Sequence, residues 1–136
     1  MLDLIDLDFL GTRRAIGTYL VQPDAGLALC DCGPTTTLPA LERELSDRGL
    51  TLRDIEHLLI THIHLDHAGA AGVIARRNPD IQVWVSEIGA RHLIGPERLE
   101  ASARRLYGER FDTFWGELAP VPPTNIQVAR DSAVGW

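Results

Sequence analysis

The sequence predicts an α/β domain, α+β by some schemes, in which a mixed sheet carries helices on one face. Three observations lead there. Residues 2–30 alternate apolar and polar side chains between turn signals, the pattern of an antiparallel meander. From Thr35 onward the pattern becomes helix, strand, helix, strand, which implies parallel pairing through crossovers. The chain has 136 residues, enough for one core and too few for two, so residues 1–136 are read as a single domain.

Taken in order, Leu2, Leu4, Leu7 and Phe9 suggest a strand over 2–9 whose phase slips near Ile5. AIGTYLV (15–21) is a second strand, ended by Pro23-Asp24-Ala25-Gly26, and LALC (27–30) a third, ended by the turn formers Asp31-Cys32-Gly33-Pro34. Residues 35–48 place Leu38, Leu41 and Leu45 on one helical face, begin with threonines able to cap, and stop at Gly49. A short turn over 51–55 leads into HLLIT (57–61), an apolar run of the buried-strand kind. AGAAGVIARR (68–77) predicts a helix closed by Asn78-Pro79, and IQVWV (81–85) alternates as a strand does. Ser86 is placed to cap a helix through Ile94, and 96–107 is a second helix with proline at its first position. Phe111, Phe114 and Trp115 gather before the loop over 120–123; 126–129 is a last short strand, and the tail DSAVGW carries no pattern.

Composition narrows the function classes. Net charge is −6, and the arginines are scattered rather than stacked along a stripe, so nucleic acid and anionic membrane surfaces have no electrostatic support as partners. A small-molecule substrate is expected instead. Asp3, Asp6 and Asp8 interrupt the apolar start, which therefore reads as neither a leader nor a membrane span. Cys30 and Cys32 are too close to bridge one another, and a CxC pair in an apolar strand reads either as a soft-metal contact or as packing with one thiol in the core. With no disulfide framework, a cytoplasmic setting is expected.

The chemistry concentrates in THIHLDHAG, from Thr61 to Gly69. In an extended segment residues two apart project to one side, so His62 and His64 can present two imidazoles to one point. Asp66 and His67 follow where the chain turns into a helix and point elsewhere, to a second site nearby. Imidazole and carboxylate are donor types used by zinc, with iron and manganese as further candidates. The competing reading is a polar surface loop, but this spacing after an apolar strand meets a geometric demand that a loop does not have. His57 and His92 each stand alone and are read as packing or solvent-exposed residues.

The segment resembles the signature T-H-x-H-x-D-H-x-G of the metallo-β-lactamase fold superfamily, with every fixed position present, and the chain is most similar to its glyoxalase II-like hydrolase branch. LALCDCGP resembles the family strand that ends in an aspartate-x-glycine turn. The resemblance implies that His62 and His64 belong to a first metal site and Asp66 and His67 to a second, with zinc the expected ion and iron or manganese alternatives. Asp31 then sits beneath the site and fixes ligand orientation, unless it is simply a turn-forming aspartate. It also implies attack by a metal-held hydroxide, oriented by Asp66, on an ester, thioester, lactone or similar bond.

The family fold is an αββα sandwich of two similar halves, and this chain matches the N-terminal half only. No histidine follows His92, so the ligands that the C-terminal half brings are missing. Two protein ligands per ion hold a divalent metal weakly, and the chain alone is expected to be incomplete or weakly active. The expected partner is the missing C-terminal half or a second copy in a homo-oligomer. The alternatives are a non-catalytic half-fold that self-associates or binds metal only, and an iron-dependent redox member of the same superfamily. Phe111, Phe114 and Trp115 are read as core or subunit packing, with an apolar substrate wall as the functional alternative.

Overall fold

The computed structural model describes residues 2–130, so the tail at 131–136 lies outside the described residues. Among the described residues six strands form one sheet in chain order: β1 (Leu2–Asp6), β2 (Gly17–Val21), β3 (Ala28–Cys30), β4 (His57–Leu59), β5 (Gln82–Val85) and β6 (Ile126–Val128). β1, β2 and β3 pair antiparallel, and β3 through β6 pair parallel. This is the mixed α/β sheet that the change of pattern at Thr35 predicts, because only helical crossovers return a chain in the same direction.

Register decides which side chains form the core. Leu20, Leu29, Leu58 and Val83 stand opposite one another on consecutive strands, and all are buried. They share a core with Leu38, Leu41 and Leu45 of α1 (Leu38–Asp47) and Val73 and Ile74 of α3 (Ala71–Arg77). The neighbouring row, Leu4, Tyr19, Cys30, Leu59 and Trp84, points to the other face, where Leu4 and Tyr19 are exposed at 60% and 44%. Helices therefore cover one face of the sheet.

β1 differs from its expectation. No phase slip occurs at Ile5: Ile5 and Leu7 both point into the core, while Leu2 and Leu4 are exposed. Apolar residues on both faces mimic a slip when only one face is covered. The strand also ends at Asp6 rather than Phe9, because Asp8, Leu10 and Arg14 take positive φ. Such backbone costs free energy for residues with a Cβ, and the Asp6 carboxylate offsets it by accepting the N–H groups of Asp8 at 2.9 Å and Arg14 at 2.8 Å.

Two further expectations change. The threonines before α1 form a 3₁₀ turn and none caps the helix by its side chain. Their hydroxyls instead donate to carbonyls: Thr35 to Glu117 at 2.7 Å, Thr36 to Phe114 at 2.6 Å and Thr37 to Pro34 at 2.9 Å. The helix expected over 68–77 is two pieces, α2 (Leu65–Ala68) and α3, so Asp66 and His67 lie within a helical turn and not before it. Within α3, Gly72 sits against the Ala119 carbonyl, where any Cβ would overlap it. α4 (Glu87–Ile94) starts as expected, with Ser86 Oγ accepting from the Gly89 N–H at 3.1 Å. α5 (Glu97–Tyr107) follows with Pro96 just outside it, and α6 (Phe111–Phe114) is a single turn. Among the described residues no helix is long and apolar enough to cross a membrane.

Candidate metal centre

β3 and β4 end side by side, and their C-terminal ends carry the candidate residues, the usual place for ligands in a parallel sheet. The Asp31 N–H extends the ladder to the Leu59 carbonyl at 2.7 Å; Asp31 then takes φ 64°, and Gly33 φ 71°. A Cβ at Gly33 would press on Leu7 and Thr37, so the turn needs glycine there for space as well as for φ. This turn grips α2 directly. Cys32 and Gly33 donate to the His67 carbonyl at 2.8 and 3.2 Å, and the Ala70 N–H returns a bond to the Gly33 carbonyl at 2.9 Å. The backbone of His67 is thereby fixed to residues far away in the chain.

Asp31 is the buried polar hub, 7% exposed. Its Oδ1 accepts the Thr61 N–H at 2.8 Å, its Oδ2 accepts the Thr61 hydroxyl at 2.8 Å, and Oδ2 also accepts the His67 Nδ1–H at 2.7 Å. The Thr61 hydroxyl has one proton, and Asp31 takes it. The contact at 3.0 Å between Thr61 Oγ1 and His62 Nδ1 must then run the other way, with His62 Nδ1–H donating. Both imidazoles therefore carry a proton on Nδ1 and, when neutral, keep the Nε2 lone pair for a ligand. Asp31 forms the turn and holds Thr61 and the His67 ring at once, because the φ of its backbone and the bonds of its carboxylate are separate properties. Thr61 is the positioning residue that sequence reasoning passed over; its place directly before His62 in the motif was the available signal.

The structure brings three imidazoles together. The His62 ring lies 3.9 Å from that of His67 and 4.8 Å from that of His64, centroid to centroid, so His62 is nearer to His67 than to its motif neighbour. Asp66 Oδ2 lies 3.4 Å from His67 Nε2. His62 and His64 are exposed, and His67 and Asp66 half-buried. Donor chemistry and tautomers fit a divalent metal such as zinc. Donor number falls short: among the described residues no group of three or more His, Cys, Asp or Glu side chains is arranged to hold an ion. Two donors leave half of a tetrahedral shell to water, so the metal would be held loosely.

The other singled-out residues lie apart. His57 opens β4 at the end away from the motif; its Nε2 is 3.0 Å from the Ala25 carbonyl, and its Nδ1 accepts from Trp84 Nε1 at 3.2 Å. His92 is half-buried on α4. Cys32 is fully buried, and burial pushes its thiol far above the ordinary range; burial and then the nearby Asp31 raise that of the half-exposed Cys30 as well. Neither is a ready thiolate. Phe111 is buried in the interior, as the packing reading expects. Trp115 does more: it stacks on Phe9 at 5.6 Å, meets Tyr107 edge-on at 5.3 Å, and with Tyr107 lines a cavity of about 360 Å³ beside His64 and Asp66.

Comparison with known proteins agrees with this architecture. The family model for the metallo-beta-lactamase superfamily matches residues 11–132. A ribonuclease Z from Bradyrhizobium sp. (strain ORS 278) is 30% identical over 132 residues, covering 88% of this chain and 38% of that protein. A protein of Bacillus subtilis (strain 168) named "Probable metallo-hydrolase YqjP" is 44% identical over 69 residues, 47% of this chain and 21% of its own length. A metallo-beta-lactamase family protein from Thermus thermophilus superposes with a TM-score of 0.67 at 26% identity, covering 96% of this chain and 46% of that one. The chain thus spans less than half the length of each of these relatives.

Proposed function

Because the chain belongs to the metallo-beta-lactamase superfamily, we propose that it carries the N-terminal, metal-binding half of a hydrolase site acting on an ester, thioester, lactone or similar bond. His62 and His64 would hold one ion, and Asp66 and His67 a second, with zinc favoured and iron or manganese as rivals. The metal supplies Lewis acidity and lowers the pKa of water bound to it. The chain's own residues do the rest. Asp31 and Thr61 hold His62 and His67 in the tautomer that leaves Nε2 open, and Asp66, on the first turn of α2, presents a carboxylate to orient a proton beside them. The observation that carries this reading is the run of hydrogen bonds from His62 through Thr61 and Asp31 to His67, since a surface loop has no need to fix two tautomers.

With two donors per ion and one sheet face open, the site is completed by further polypeptide, either the other half of a longer chain or a second copy. Zinc titration followed by calorimetry tests the binding step: uptake should be weak, and His62→Ala and His67→Ala should each remove one of the two ions while the double variant takes up none. Metal-free protein that takes up no zinc, iron or manganese would sink the proposal and leave the non-catalytic assembly reading. A relative named ribonuclease Z motivates a second reading, hydrolysis of a phosphodiester in RNA. The net charge of −6 gives that reading no support from this half of the site.

A further inference from the structure

α5 is 11 residues long and buries none of them. Its apolar residues nevertheless form a stripe, Leu99, Ala103 and Leu106, with Ser102 and Tyr107 alongside at helical spacing. In a small domain such a stripe ordinarily faces the core. Here the stripe lines the cavity of about 360 Å³ whose other walls are His64, Leu65, Asp66 and Trp115. The helix is held near its C-terminal end instead. The Arg104 guanidinium lies 4.2 Å over the Phe111 ring and pairs with Asp112 at 3.2 Å, and Tyr107 meets the rings of Phe114 and Trp115 edge-on. α5 is thus anchored while Leu99 and Ala103 stay half-buried at the groove and Leu106 is exposed.

We propose that this groove is the acyl subsite of the hydrolase site, taking the aliphatic chain of a carboxylic ester, thioester or lactone with its carbonyl end at His64 and Asp66. The inference rests on the proposed hydrolase function and adds an aliphatic acyl chain to the substrate and a place for it in the fold. Three features select this occupant. The groove is continuous with the histidine cluster; its volume lies within the range of small-ligand pockets; and its walls away from His64 and Asp66 are mainly apolar, with no lysine or arginine to pair with the successive phosphates of a nucleic acid. Hydrolysis of such a substrate joins the oxygen of water to the acyl carbon and breaks the bond from that carbon to oxygen or sulfur. One water proton goes to the leaving group and the other to solvent. The product is a fatty carboxylate, which makes carboxylates of graded length suitable probes.

The test is an NMR titration of the 136-residue chain without metal, using butyrate, hexanoate and octanoate. Affinity should rise about fourfold per methylene buried, with shifts centred on α5 and the Trp115 indole. Leu106→Asp and Ala103→Trp should each remove the length dependence while leaving the circular dichroism spectrum unchanged, since α5 contributes no buried residue. Equal affinity for all three carboxylates, or shifts confined to the open sheet face, would overturn the proposal. So would self-association through this stripe, seen as a dimer by light scattering that Ala103→Trp dissociates. His67→Ala, which removes a proposed ligand to the metal, should retain the length dependence. A groove that binds octanoate in a chain that takes up no metal would refute the hydrolase reading alone, and the converse would refute the acyl subsite alone.

Discussion

Replacing Asp31 separates its two roles by different amounts. Asp31→Ala removes the acceptor for the Thr61 N–H and the His67 Nδ1–H, both bonded to a carboxylate whose side chain is only 11% exposed. Each orphaned donor costs about 1–3 kcal/mol, toward the lower end here because His67 is partly open to water. Alanine at φ 64° adds about 1–2 kcal/mol of backbone strain. The sum is about 3–4 kcal/mol, a large part of the roughly 5–15 kcal/mol that stabilises a typical domain. Asp31→Asn is the sharper probe, because asparagine tolerates this φ and its Oδ1 still accepts the Thr61 N–H. Its Nδ2 then faces His67 Nδ1 as a donor, which forces His67 into the Nε2–H tautomer and closes the lone pair proposed for metal. The expected stability loss is about 1–2 kcal/mol, and the expected loss of zinc affinity about 10–100-fold. Urea unfolding of metal-free protein reads the first, competition with a chromophoric chelator the second, and imidazole nitrogen shifts report the tautomer. If Asp31→Asn keeps both the zinc affinity and the His67 tautomer of the parent chain, the orienting role assigned to Asp31 is wrong.

Thr61→Val keeps the branched shape and removes the hydroxyl between Asp31 and His62; unfolding should change by under about 1 kcal/mol because water reaches this exposed residue, while zinc affinity falls about tenfold. Unchanged binding would show that His62 needs no such partner. Gly72→Ala should destabilise by about 1–3 kcal/mol despite alanine's better helix propensity, since its Cβ meets the rigid Ala119 carbonyl; a thermal melt at or above the parent's would contradict that packing. Asp6 accepts two backbone N–H bonds, which hold its carboxyl below the ordinary value of 3.8. A depressed folded-state value stabilises the protein above that ordinary value, and the contribution is lost as pH falls through the lower one. The stability advantage of the parent over Asp6→Asn should therefore shrink on acidification below about pH 4, as read by denaturant unfolding at stepped pH. An advantage that stays constant would rule this linkage out.

How much of this was legible in the residues depends on range. The helix stop at Gly49, the Ser86 cap, the short strands and the grouping of His62, His64, Asp66 and His67 all follow from interactions within a few residues, which spacing records directly. The errors fall where a local pattern had two solutions. Leu2 and Leu4 look like core residues until pairing with β2 shows that their face is the open one. Thr35 and Thr36 look like caps until the chain from Phe114 onward comes within reach of their hydroxyls.

What the sequence determined by itself is the order of elements, the mixed direction of the sheet and the set of metal-type donors, because propensity, turn chemistry and side-chain period are local. The tertiary structure alone decided the tautomers of His62 and His67, the double role of Asp31, the open face behind Tyr19 and the groove under α5. Each depends on residues far apart in the chain: Asp31 meets Thr61 and His67, the pairing of β1 with β2 sets the open face, and His64 and Leu99 line one cavity. Periodicity carries no information across that distance. The closing of β3 against β4, whose register sets where each chain end emerges, brings Asp31 within a hydrogen bond of Thr61 and His67.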